Sequence, residues 1–439
     1  MKKTFTLKSS KSKSLNGIIY VPTDKSISIR ALILSSICLG NSKIYNLLES
    51  EDVLNTLKSL KTLGVKIIKK KEYYEVYGKG GVFETSGKNL YLGNSGTGLR
   101  LLTGLLASRN LDITLTGDRS LSSRPMKRII EPLEKMNLTI KHNDGFLPLR
   151  IIDDKSKVSI PINYDLKVGS AQVKSAILLA GTNVKGDTII CEKFPSRDHT
   201  ERMLKFLGAD ITTLKNKIIL KSPVILEPQD FFIPGDFSSA AFLIVATLIT
   251  QNSQISLKNI GLNYYRTGLL DVLKKMNANF KVENKKIINE EIIGDIIVSS
   301  SNLTSTKIDK KIIPRLIDEL PVLFVAASFA KGTSVFSGLE ELKFKESDRL
   351  SSMAKALSNA GVNVKIEKNS MIIKGNQVQN GGNEVKTFDD HRIAMSMLVF
   401  GLASKKRIKV DDSKMINTSF PNFKEIIEKV GGNIDFISK

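Results

Sequence analysis

The sequence predicts an α/β (α+β) protein of two similar domains, each assembled from three copies of one helix-strand unit. Three observations lead there. At 439 residues and 41% apolar composition, the chain is too long for one hydrophobic core and rich enough in apolar material for two. An amphipathic helix followed by a short alternating strand recurs six times, about seventy residues apart. Between these copies lies a second kind of helix, apolar nearly all round, which asks for burial on every side.

In chain order the amphipathic pieces are EDVLNTLKSLKTLGVKI, RPMKRIIEPLEKMNLTI, DHTERMLKFLGADI, RTGLLDVLKKMNANFKV, SDRLSSMAKALSNAGVNVKI and FPNFKEIIEKVGGNIDF. Val53, Leu54, Leu57 and Leu60 fall at helical spacing, as do Ile129, Ile130, Leu133 and Met136, so each piece has one buried face. The pieces end at Gly64, Asn137, Gly208, Asn277, Gly361 and Gly432. Pro132, inside the second piece, is expected to kink that helix or break its ladder. The all-apolar helices are SISIRALILSSICLG, GTGLRLLTGLLAS, AQVKSAILLAG, FSSAAFLIVATLI, ELPVLFVAASFAKG and HRIAMSMLVFGLAS, each followed by a short strand such as SKIYNL or GDTIICE. Pro234 and Gly235, after Ile233, break the pattern between the third and fourth units and mark the domain junction.

Composition narrows the function. Cys38 and Cys191 lie far apart, and His142, His199 and His391 are equally scattered, so no metal site is expected, and no organic cofactor is implied either. Two isolated cysteines fit a reducing cytoplasm. The N-terminal MKKTFTLKSSKSKSLNGIIYVP lacks the apolar core of a signal peptide. The longest apolar runs, such as AAFLIVATLI, stop near half of the ~20 residues that span a bilayer, so no membrane partner is expected. Lysine and arginine outnumber acids 66 to 44, a net charge of +22 that suits a nucleic-acid-binding repeat protein. Against that alternative, the lysines sit in short strand-edge runs such as KIIKKKEYYE and KNKIILK, with no tryptophan and 6% aromatics for base stacking. No nucleic-acid partner is expected.

The polar clusters gather where the all-apolar helices begin: DKSISIR, NSGTGLR, GSAQVK, GDFSS, DELP and DDHR. In the stretch from Leu92 to Leu106, a loop of Asn94, Ser95, Gly96, Thr97 and Gly98 runs directly into a helix carrying Arg100. Glycines admit a ligand to the backbone, and a helix start offers unpaired N–H groups, so the junction suits an anion. Six such starts facing one cleft between the domains would form an anion trap.

Eight motifs in order, DKSISIR (24–30), LGNSGTGLR (92–100), RPM (124–126), GSAQVKSA (169–176), IPGDFSSAA (233–241), IDELP (317–321), KESDR (345–349) and DDHRIAM (389–395), resemble the 5-enolpyruvylshikimate-3-phosphate synthase family over essentially the whole chain. The resemblance implies the inside-out barrel of enolpyruvyl transferases, three units per domain in pseudo-threefold packing, with the active site in the interdomain cleft. It places the first strand, to about residue 22, with the second domain, so the expected spans are 23–233 for units one to three and 1–22 plus 234–439 for units four to six. The implied reaction moves the enolpyruvyl group of phosphoenolpyruvate to the 5-hydroxyl of shikimate 3-phosphate and releases phosphate, in a monomer. Two phosphates and two carboxylates in one site need fixed cations, and Lys25, Arg30, Arg100, Arg124, Lys345, Arg349 and Arg392 are the candidates.

By the same resemblance, Asp318 takes the 5-hydroxyl proton, Glu346 handles the methylene proton, and Lys25 and Lys345 support them. Lys25, Ser26, Arg30, Ser170, Ala171, Gln172, Ser196, Asp318 and Lys345 form the shikimate 3-phosphate shell. Lys25, Asn94, Gly96, Arg124, Gln172, Arg349 and Arg392 form the phosphoenolpyruvate shell. Two bland alternatives stand beside these roles: Asp318 as the N-cap of the helix ELPVLFV, and Gly96 as a residue kept for its backbone dihedrals. The chain departs from many members at Ala171, where they carry serine, and at Thr418, where they carry a lysine for phosphoenolpyruvate. The sister reading is a UDP-N-acetylglucosamine enolpyruvyl transferase, which uses a loop cysteine. The stretch GDRSLSSRPM has none, and Cys38 and Cys191 are expected to be structural.

Overall fold

The computed structural model describes residues 6–84 and 89–437. Residues 1–5 and 438–439, at the ends of the expected spans, lie outside the described residues, as do 85–88. The chain divides into two compact units, one comprising 23–233 with 287–291 and the other 1–22, 234–286 and 292–439. Each has its own core, running from Ile27 to Ile233 in the first and from Leu7 to Ile434 in the second. Among the described residues no helix is long and apolar enough to cross a membrane.

The all-apolar segments form the central helices. In the first unit these are Lys25–Ser36, Gly96–Ala107 and Ala171–Gly181. In the second they are Phe237–Ile249, Leu320–Ser328 and His391–Gly401. Helices Gly96–Ala107 and Ala171–Gly181 approach so closely that a Cβ on Gly104 would lie 2.2 Å from the Ala176 carbonyl oxygen. Only glycine fits at that crossing. The three central helices of the second unit all pack on one another.

The amphipathic pieces form the outer helices Glu51–Thr62, Lys127–Lys135, His199–Phe206, Gly268–Lys275, Arg349–Asn359 and Phe423–Lys429. Just past each one a residue turns left-handed: Gly64, Asn137, Gly208, Asn277, Gly361 and, at the last, Gly431 rather than the expected Gly432. That backbone closes the helix C-terminus, and glycine and asparagine tolerate it best. Pro132 is buried inside its helix, which continues to Lys135. It is buried along with Ile129, Ile130 and Leu133 of the same helix.

Six four-stranded sheets complete the repeat. All six share one spatial order, seen in Asn89–Tyr91, Ile113–Thr116, Phe146–Ile152 and Thr139–Asn143: a leading strand pairs in parallel with the strand that follows a central helix, and two antiparallel strands complete the sheet. A parallel pair needs a crossover connection, which the central helix provides. Three sheets are completed from distant sequence. Leu7–Ser10 fills the hairpin position beside Asn433–Phe436. Asn16–Ile19 precedes the first central helix yet pairs with Gln254–Gly261, while Phe231–Phe232 precedes the fourth yet pairs with Leu39–Tyr45. The two leading strands have exchanged sheets, and the chain changes unit just after each of them, at 22/23 and 233/234.

Candidate active site

The starts of the central helices carry most of the candidate residues, and their caps sort them. Asp24, Asp236 and Asp390 cap three of the helices through their carboxylates, accepting from the N–H groups of Ile27, Ser238 and Arg392. At these three starts the protein supplies its own anion, so six open positive ends are not what the chain builds. The helices beginning at Gly96 and Ala171 are capped by neutral serines, Ser95 and Ser170, and they neighbour each other. Gln172 joins them, accepting from Arg100 Nη1 at 2.7 Å and donating to Thr97 Oγ1 at 3.0 Å. Arg124, on the loop after Arg119–Ser122, donates to Asn94 Oδ1 and to Ser120 Oγ. Two neutral-capped helix starts and two arginines thus meet around Gly96, an arrangement suited to a multiply charged anion.

Gly96 is the first residue of its helix and lies outside the left-handed backbone region, so dihedral freedom does not explain it. Space does. A Cβ there would stand 3.1 Å from Arg100 Nη1 and 3.2 Å from Arg124 Nη1.

The remaining candidates of the first unit are held more tightly. Lys25 Nζ pairs with Asp52 Oδ2 at 2.9 Å. Ser26 gives its carbonyl to Arg30, whose buried guanidinium also donates to Thr200 Oγ1 and Ser175 Oγ. Ala171 is the first residue of its helix, beside Ser170. Ser196 is 5% exposed and donates to Glu192.

The second unit brings together a different group. The 3-10 turn Glu340–Phe344 leads into Lys345 and Glu346, and Asp348 caps the helix that begins with Arg349. Arg349 is wholly buried and donates to Asp390 Oδ2 at 2.8 Å, Glu346 Oε2 at 2.5 Å and Asp318 Oδ1 at 3.4 Å. Burial opposes its charge, but Asp390, Glu346 and Asp318 outweigh that and raise its pKa. Lys345 Nζ lies 3.7 Å from Asp318 Oδ1, and Arg392 Nη1 donates to the Asp318 carbonyl at 2.8 Å. The N-cap of helix Leu320–Ser328 is Glu319, so Asp318 is not the cap that the bland alternative made of it. Glu319 is buried against Ser238, in a cluster where Arg266 binds Asp236 and Ser238 at 2.7 Å. Burial, then the neighbouring Asp318, raises the Glu319 pKa. Thr418 turns its hydroxyl back to Met415 O, 2.7 Å away.

Several organising residues escaped the sequence reading. Asp390, Glu319 and Arg266 hold the second cluster, and Lys174 and Glu192 stand behind Ser196. One signal was available: Lys174 is a charged residue inside a helix otherwise read as apolar. Cys38 and Cys191 are both free thiols, and burial pushes Cys38 up to about 12, which keeps it protonated and inert. Among the described residues, no group of three or more His, Cys, Asp and Glu side chains is placed to hold a metal ion.

Comparison with known proteins gives the family of the chain. A solved structure of EPSP synthase from Acinetobacter baumannii superposes with a TM-score of 0.88 at 38% identity, over 99% of this chain and 100% of that one. The enolpyruvyl transferase NikO from Streptomyces tendae shares the fold at a TM-score of 0.77 and 16% identity, over 99% of each chain. The 3-phosphoshikimate 1-carboxyvinyltransferase of Petrotoga mobilis is 43% identical over 95% of this chain and 98% of its own length. That of Bartonella henselae is 44% identical over 99% of this chain and 100% of its own. A family model described as EPSP synthase (3-phosphoshikimate 1-carboxyvinyltransferase) matches residues 9–427, and the chain belongs to that family.

Proposed function

We propose that this chain transfers the enolpyruvyl group of phosphoenolpyruvate to the 5-hydroxyl of shikimate 3-phosphate and releases phosphate, a step of aromatic amino-acid biosynthesis. The observation that carries the residue assignment is Arg349: one wholly buried arginine holds two carboxylates, Asp318 and Glu346, whose side chains stay 16% and 22% exposed. The chemistry asks for two proton-handling groups. The hydroxyl must lose a proton to attack C2 of phosphoenolpyruvate, and the methylene carbon must gain one and return it when phosphate leaves. Asp318 is assigned the hydroxyl proton and Glu346 the methylene proton, with Lys345 stabilising negative charge between them.

Gly96, Asn94, Arg124 and Gln172 are assigned to phosphoenolpyruvate, supported by the neutral-capped helix starts and the two arginines around them. Lys25, which is assigned to both substrates, and Arg349 and Arg392 complete that shell. Lys25, Ser26, Arg30, Ser170, Ala171, Gln172 and Ser196 are assigned to shikimate 3-phosphate. Every group with a role comes from one chain, so a monomer suffices, and two free thiols agree with a cytoplasmic setting. Phosphate release measured with both substrates and with each alone tests the assignment. Release that requires both supports it, and none with both rejects it.

A further inference from the structure

Lys174 takes no part in the chemistry proposed above, yet it is among the most buried side chains of the molecule, at 1% exposure. A lone ammonium in that position would cost several kcal/mol in lost hydration, so its partners must be well made. They are: Nζ reaches Glu192 Oε2 at 2.7 Å, Glu201 Oε1 at 2.6 Å and the Ser196 carbonyl at 3.3 Å. Glu192 also accepts from Ser196 Oγ through Oε1 at 2.5 Å and from Ser196 N through Oε2 at 3.4 Å. The carbonyl, N–H and hydroxyl of Ser196 are therefore all held by one ion pair.

We propose that Lys174 and Glu192 are positioning residues for the substrate phosphate, acting through Ser196. The inference rests on the assignment of Ser196 to shikimate 3-phosphate. A serine hydroxyl has a single proton to donate, and here Glu192 holds it. When a phosphate oxygen arrives, the hydroxyl passes from one anion to the other. Glu192 is not left bare by the exchange, because Lys174 stays with it. The ion pair thus fixes the segment from Glu192 to Ser196 while letting the hydroxyl change acceptor at little cost.

The test is a double-mutant cycle between Glu192→Gln, which keeps the shape and removes the charge, and Ser196→Ala, read as KM for each substrate, kcat and Tm. Each single variant is expected to raise KM for shikimate 3-phosphate about tenfold, the loss of one charge-assisted hydrogen bond, with KM for phosphoenolpyruvate within about twofold. The double variant is expected to match the worse single one. Multiplying effects, or equal shifts in both KM values together with a lowered Tm, overturn the inference by making Glu192 a fold residue only. If Ser196→Ala alone leaves shikimate 3-phosphate binding unchanged, the assignment of Ser196 fails and the inference falls with it. If only Glu192→Gln is silent, the inference fails and the assignment of Ser196 stands. Lys174→Met is not needed for the decision, since it leaves two buried carboxylates unpaired and unfolding would mask its effect.

Discussion

Two clusters in this molecule are each built on one buried cation among carboxylates, and they end in opposite ways. In the first unit Lys174 is surrounded by Glu192 and Glu201, and the three side chains are 1%, 3% and 7% exposed. In the second unit Arg349 is equally buried and binds an equally buried Asp390, but its other partners, Asp318 and Glu346, are 16% and 22% exposed, and Lys345 beside them is 28%. One cluster is closed and the other opens at one end. A closed cluster acts by holding its neighbours in place, whereas an open one presents fixed acid and base groups to whatever binds. The difference also explains the choice of cation. Arginine offers five donors in a rigid fork and can grip several carboxylates in set directions, while a lysine suits a compact pocket.

The open end can be tested directly, and the effect should be large. Asp318→Asn keeps shape but cannot take a proton, so kcat in the phosphate-release assay should fall about a thousandfold, the scale of general-base catalysis. Affinity for shikimate 3-phosphate, read by calorimetry, should stay within a small factor. A variant with near-normal turnover would erase the distinction between the two clusters.

The buried end should instead report on stability. Arg349→Met leaves Asp390, Glu346 and Asp318 facing one another without their cation, a loss of about 3–5 kcal/mol for a broken buried pair. Asp390 also caps helix His391–Gly401, so the damage should reach the start of a central helix. Chemical denaturation measures it. A loss under 1 kcal/mol would mean that the carboxylates find other partners.

How far the sequence discloses all this depends on the range of the interactions. Helix identity is local, and the two helix types, with glycine or asparagine closing the outer helix, were readable from periodicity alone. Even the one misplaced end, Gly431 for Gly432, is an error of one residue in a Gly-Gly pair. The exchange of leading strands between Asn16–Ile19 and Phe231–Phe232 was not readable from periodicity, because partners as distant in the chain as Phe231 and Ile44, or Gln254 and Asn16, leave no periodic signal. The side-chain clusters divide in the same way. Motifs located the helix starts, but which starts are filled by the protein's own aspartates depends on cap geometry. That Asp318 precedes the cap rather than forming it is a matter of one residue, below the precision of any boundary read from sequence.

Gly96→Ala probes the other candidate feature of the first unit, the open space between Arg100 and Arg124. A methyl at 3.1 and 3.2 Å from their Nη1 atoms must push two flexible guanidinium ends aside by a few tenths of an ångström. Since the backbone there is not left-handed, Tm should hold, and KM for phosphoenolpyruvate should rise about tenfold, the worth of one displaced charged hydrogen bond. Affinity for shikimate 3-phosphate should change little. Equal weakening of both substrates would sink the steric account.

The smallest effect sharpens the comparison from the closed side. Glu201 shares the single ammonium of Lys174 with Glu192, and burial raises its carboxyl pKa despite that partner. A carboxyl whose folded pKa lies above its unfolded value stabilises the fold below the unfolded value, 4.5 for glutamate, and loses that contribution as pH rises through the folded one. As pH rises through the folded value, Glu201 therefore turns into a net cost to folding. Glu201→Gln removes the charge and keeps the shape, so stability at pH 8 should rise by up to about 1 kcal/mol while Glu192 keeps Lys174 paired. Below pH 4.5 the wild-type carboxyl is neutral as well, and the two proteins should melt together. The difference in Tm across that pH range decides the point. If Glu201→Gln is instead less stable at pH 8, both carboxylates are needed to hold Lys174, and the closed cluster is a balanced triad rather than a pair with a tolerated third member.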